Sequence, residues 1–146
     1  MTEITFYTFA EDPLDVARRV AAKAYGQGRQ VMLYAPEAAV ADAIDRLLWT
    51  APPLGFVPHC RDTDPLAGET PVLIGADVDA LRSADVMINL GREQPAAFAR
   101  FERLVEIVGT DDASREAGRA RYRYYQARGY ALQTHDLRQT AGPGQR

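Results

Sequence analysis

The feature that most constrains this chain is an alternation: short runs of β-branched, aromatic and aliphatic residues are separated by longer segments whose apolar residues recur at helical spacing. Residues 4–9, from Ile4 through Phe6 to Phe9, read as a first strand, and Glu11, Asp12 and Pro13 open a helix over 14–25 with Val16, Val20 and Ala24 along one side. Gly26 and Gly28 stop it before a second strand at 30–34. Pro36 begins a second helix, with Val40, Ala43, Ile44, Leu47 and Leu48 apolar, which ends at Trp49 and Thr50 ahead of Pro52 and Pro53. A short segment at 56–59 and an acidic loop at 62–70 follow, and then the continuous apolar runs 71–74 and 86–90, typical of strands buried on both faces. Residues 95–101 open another helix, 104–108 form a strand, and 111–128 form a long last helix closed by Gly129. The expected fold is α/β: a Rossmann-like, mostly parallel sheet with helices on both faces, in a single domain over 1–139. Residues 140–146, with Gly142, Pro143 and Gly144, are expected to form a tail without fixed structure.

At 146 residues, 47% of them hydrophobic and 25% charged, the chain can bury a core without disulfides or a structural metal. Its apolar stretches are broken by Pro, Asp or Glu well short of the roughly 18 residues a membrane helix needs, and Met1, Thr2 and Glu3 do not begin a signal peptide. One cysteine, Cys60, makes no internal disulfide. The expectation is a cytoplasmic protein with no membrane partner.

Folds of this class often bind nucleotides through a glycine-rich turn between the first strand and its helix. Here that turn reads Phe9, Ala10, Glu11, Asp12, Pro13, with no glycine and two carboxylates that repel phosphate. His59 beside Cys60 lacks a second cluster to complete a metal site, and His135 next to Asp136 would point away from it in a strand. Ser83 and Ser114 lack the glycines of a nucleophile elbow. Neither a catalytic group, nor a metal, nor a cofactor is expected.

Charge is unevenly placed. The net charge is −3, but residues 1–114 hold 10 basic and 18 acidic residues, whereas 115–146 hold 7 basic and 2 acidic. Lys23 is the one lysine, so the cations are nearly all guanidinium groups. In the last helix, Ala113, Ala117, Ala120, Tyr124 and Ala127 form a narrow stripe expected to pack on the sheet, opposite Arg115, Arg119, Tyr122 and Arg123. That cationic face suits nucleic-acid phosphates with bases stacked on tyrosine, or an acidic peptide and its terminal carboxylate. Trp49, Pro52, Leu54, Phe56, Val57 and Pro58 make an apolar, proline-stiffened stretch that reads equally well as core or as an interface.

Taken together, the run from Ile4 to Tyr7, Leu48 and Trp49 with the segment 56–59, the run 70–74, and Arg121 to Tyr125 ahead of Gly129 and Tyr130 resemble the chi subunit of bacterial DNA polymerase III, in order and in spacing, up to about Asp136. The resemblance implies a non-catalytic clamp-loader adaptor that joins the psi subunit to the acidic C-terminal tail of single-stranded DNA-binding protein, touching nucleic acid only indirectly. It places tail binding on Val108, Arg115, Arg119, Tyr122 and Arg123, with Arg119 as the fork for the terminal carboxylate, and the psi interface on Trp49, Phe56, Val57 and Pro58. The same face could serve a helicase. The competing reading is a direct binder of single-stranded nucleic acid through the basic helix, which a pI of about 5.4 disfavours.

Overall fold

The computed structural model describes residues 1–50 and 56–138; Pro52, Pro53, Leu54 and the expected tail 140–146 lie outside the described residues. Seven strands make one sheet in the order β3-β4-β2-β5-β6-β1-β7, and every neighbouring pair is parallel. In chain order these are β1 (Glu3–Ala10), β2 (Val31–Tyr34), β3 (His59–Arg61), β4 (Val72–Gly75), β5 (Val86–Asn89), β6 (Arg103–Gly109) and β7 (Leu132–Asp136). Three helices cover it: α1 (Pro13–Gly26), α2 (Ala38–Trp49) and α3 (Asp112–Ala127). The sheet and helices match the α/β, Rossmann-like expectation.

Alternation along the strands sorts the core into two layers. Val31, Leu33, Val72, Ile74, Val86, Ile88, Val105 and Ile107 face α1 and α2, packing on Ala17, Ala21, Ile44 and Leu48. On the other face Ile4, Phe6, Met32, Leu73, Met87, Leu104 and Val108 meet α3 through Tyr125. A single helix suffices there because short 3₁₀ turns complete the layer with Ala67, Val78, Ala80 and Phe98.

α1 starts where the sequence places it: Asp12 caps it, accepting from the Asp15 N–H at 3.2 Å, and Pro13 occupies the first turn. The helix expected at 95–101 is only a 3₁₀ turn at Phe98–Arg100. Phe98 and Phe101 are both drawn into the core and β6 begins at Arg103, which leaves too little chain for a stable α-helical nucleus. β3 and β7 were not anticipated as strands. Each is an edge strand of five residues or fewer, and β7, largely exposed, has none of the apolar continuity that marks the buried strands.

Candidate functional site

α3 is capped at its start by a side chain and at its end by backbone. At its start the Asp111 carboxylate accepts from the Ser114 N–H at 3.0 Å, and this hydrogen bonding to Ser114, side chain and backbone, holds the Asp111 carboxyl below the usual aspartate range. At its end Gly129, with φ of 84°, lets the Gly129 and Tyr130 N–H groups turn back to the carbonyls of Gln126 and Tyr125 at 3.0 and 3.2 Å.

The buried stripe of α3 is not the alanine row expected from the sequence. Ala113, Ala120 and Ala127 are exposed, and the helix instead buries Gly118, Arg121 and Tyr125. Arg121 reaches through the layer to Glu106, a β6 residue with no exposed surface, donating from Nε at 2.8 Å. The Tyr125 hydroxyl donates to the same carboxylate at 2.5 Å and the Asn89 amide at 3.0 Å, while Arg121 Nη1 donates to the Arg92 carbonyl at 2.8 Å. Burial pushes the Glu106 carboxyl up, and the Arg121 guanidinium and the donated hydrogen bonds pull against it. The sequence reading built the buried stripe from alanines and gave Arg121 no place on either face.

With Arg121 turned inward, Arg115, Arg119 and Tyr122 fall on one flank of α3, beside the ends of β1, β6 and β7. There they border a cavity of about 240 Å³. Its floor is apolar, made by Phe6, Val108, Gly118 and the Tyr122 ring, which meets Phe6 edge-on at 5.3 Å. Thr8, Phe9 and Thr134 close the other side. Gly118 is essential to this shape: a Cβ there would lie 2.7 Å from Val108 Cγ2, so the helix backbone rests directly on the valine.

Among the described residues Arg119 has no ion pair, and Arg115 reaches only Asp112, at 4.0 Å. Two guanidinium groups therefore stand over an apolar pocket with their hydrogen-bonding capacity largely unspent. Val108, Arg115, Arg119 and Tyr122 thus come together as expected, whereas Arg123 lies exposed on α3 and does not line the cavity. Phe6, Thr8, Phe9, Gly118 and Thr134 were missed. The glycine in the middle of a helix was the available signal; the contributions of β1 and β7 depend on strand order, which the sequence does not display.

The second candidate face is at the opposite edge of the sheet, five strands from β1 and so about 24 Å away at ordinary strand spacing. Trp49, at the end of α2, is 63% exposed, and Phe56 is 43% exposed. Their rings are 5.6 Å apart and both lean on the buried His59, at 4.9 and 5.7 Å. His59 Nδ1 donates to the Val57 carbonyl at 2.8 Å and Nε2 lies 3.2 Å from Asp45. Val57 itself belongs to the core and Pro58 is half-buried, so the accessible part of this face is the aromatic pair.

Cys60 is half-buried, His135 stacks on Tyr7 at 5.2 Å, and Asp136 pairs with Arg138. Among the described residues no group of three or more His, Cys, Asp or Glu side chains converges on a metal site, and no helix is long and apolar enough to cross a membrane.

Residues 1–133 match the family model described as DNA polymerase III chi subunit, HolC. Curated relatives named DNA polymerase III subunit chi include one from Pseudomonas aeruginosa, 36% identical over 94% of this chain and 98% of that one. A Haemophilus influenzae relative of the same name is 30% identical over 84% and 86%, and one from Escherichia coli K12 is 28% identical over 92% and 97%. Among solved structures, two of a Saccharomyces cerevisiae Dbp5 variant superpose with TM-scores of 0.62 and 0.58 at 14% identity. One is bound to Nup159, Gle1, IP6 and ADP, the other to RNA and ADP BeF3. They cover 93% of this chain, which spans only 42% and 41% of theirs, and the likeness is one of fold.

Proposed function

The chain belongs to the DNA polymerase III chi subunit family and so acts as an accessory subunit of the replisome, and we propose from that premise that it is the adaptor tying the clamp loader to single-stranded DNA-binding protein. In this reading the α3 cavity captures the acidic C-terminal tail of that protein. Arg119 forks the terminal carboxylate, the last side chain enters the pocket floored by Val108 and Tyr122, and Arg115 holds acidic residues beside it, with Arg123, outside the cavity wall, as a more distant cation. The supporting observation is the cavity itself, where an apolar floor sits beneath an arginine without an ion pair among the described residues. Terminal-carboxylate recognition needs both.

The aromatic pair Trp49 and Phe56 is the proposed docking site for the psi subunit, and a helicase is the other candidate for the same surface. Large exposed rings propped on a buried histidine lose little side-chain entropy when a partner covers them.

Calorimetric titration of the chain with a peptide copying the tail, beside one lacking the terminal residue, tests the first assignment. Micromolar binding that disappears on truncation and weakens with salt is the expected result, with a loss of about 2–5 kcal/mol in Arg119→Ala. If neither peptide binds in low salt while labelled single-stranded DNA does, the basic helix is a nucleic-acid surface and the tail assignment is wrong.

A further inference from the structure

Phe9 is the one non-glycine residue among those described with a positive φ, at 57°, in a bulged stretch of β1 between Tyr7 and Ala10. A bulky residue in the left-handed region is strained and persists only where its surroundings hold it. The bend turns the Phe9 ring to the wall of the α3 cavity. Two guanidinium groups meet that ring: Arg138 Cζ is 3.5 Å from its centroid and Arg115 Cζ 5.3 Å.

Arg138 is the more firmly placed. The Leu137 N–H donates to the Thr8 carbonyl at 3.0 Å, continuing the pairing beyond β7. The Arg138 N–H donates to Asp136 Oδ1 at 2.9 Å, and its side chain forks the same carboxylate from Nε at 3.1 Å and Nη2 at 2.7 Å. Yet the Arg138 side chain remains 63% exposed, and an ion pair so open to water adds little to stability. Stability therefore does not account for a strained phenylalanine in the cavity wall that carries a pre-set guanidinium on its ring. With Nε and Nη2 engaged by Asp136 and one face on the ring, Nη1 has no hydrogen-bond partner among the described residues and is left for a ligand.

We propose that Arg138, mounted on Phe9, is a further recognition residue of this cavity, meeting acidic side chains just upstream of a bound terminal carboxylate; the assignment rests on the tail-binding reading above. The acidic stretch of the ligand then runs over the carboxyl ends of β1 and β7, between Arg115 and Arg138. Because Asp136 and Phe9 hold the guanidinium in place before binding, little side-chain entropy is lost when the ligand arrives.

The test titrates the full chain with two peptides that share the same last residue and free carboxylate, one with Asp and Glu upstream and one with Asn and Gln in their place. In Arg138→Ala the acidic peptide should weaken about three- to tenfold, as expected for a charge-assisted contact at an exposed rim. The neutral peptide should weaken by less than about twofold, since the lost partner charge is absent from it. Arg138→Lys should recover only part of the loss, because an ammonium cannot keep both the carboxylate fork and the stack. Unchanged affinity for the acidic peptide in Arg138→Ala overturns the assignment. So does an equal loss for both peptides, or an earlier thermal melt, since either marks a structural residue. A wild-type chain that binds neither peptide in low salt overturns the tail-binding reading, and this assignment with it.

Discussion

Gly118 shows how much can depend on one missing methyl group. Replacing a helical glycine by alanine ordinarily stabilises by about 1 kcal/mol, but here the new Cβ would lie 2.7 Å from a branched side chain seated in the core. Gly118→Ala is therefore expected to lower the melting temperature rather than raise it, and to reduce affinity for the tail peptide by lifting α3 off the pocket floor; a thermal melt and a titration check both. Glu106 makes the opposite case, a charge with no exposed surface. Glu106→Ala strands the Arg121 guanidinium and should cost about 3–5 kcal/mol in a denaturant titration, and replacing Glu106 and Arg121 together by apolar residues of similar volume should restore only part of that, because the buried Tyr125 hydroxyl and Asn89 amide still lose their acceptor. Individual cationic residues of the site were legible in the sequence, because arginine spacing on a helix is visible without a fold. The inward arginine was not, since nothing local distinguishes Arg121 from Arg119 until Glu106 is known to lie beneath it.

Among the elements, α3 positions most of the site and its start is sensitive to acid. The Asp111 carboxyl is held below its unfolded value, so its contribution is complete above the ordinary aspartate range and is lost as pH falls through the lowered folded value. Asp111→Asn should flatten that acid limb in a series of melts, lowering stability near neutral pH, where the ionised carboxylate contributes, and converging with the parent chain at low pH; an unchanged limb would show that this cap does not set it. The central strands were readable because burial on both faces forces unbroken apolar runs such as 71–74 and 86–90. The edge strands β3 and β7 escaped because pairing on one side makes weaker demands on composition, and β7 nonetheless places Thr134 in the cavity wall. The short turn at Phe98–Arg100 was overread for the converse reason: its residues favour a helix, and the core claims Phe98 and Phe101 first.

For the whole molecule, the uneven charge of the sequence becomes a division of surfaces. Among the described residues the arginines after residue 114 lie on α3, at its end and just past β7, while the exposed aromatic pair sits at the far edge, beside Asp42, Asp45 and Arg61, whose ion pairs tie β3 to α2. Strand order alone produced that separation, and it was not legible, because a parallel sheet can be threaded in several ways by the same alternation. Changes at the two edges are too distant to share contacts and should act independently. Phe56→Ala is expected to remove about 2 kcal/mol or more of binding at the aromatic edge without altering tail affinity, and Arg119→Ala to do the reverse; calorimetry on the single and double variants would expose any coupling.

In the proposed reading two ligand faces lie on opposite margins of one sheet, and that placement bears on kinetics. A ligand held at the Trp49 margin keeps the α3 cavity within reach of any tail tethered to the same assembly, so a tail that lets go meets the cavity again at the high effective concentration of a tethered segment. A tail bound as proposed can then leave the cavity often while the assembly as a whole stays attached.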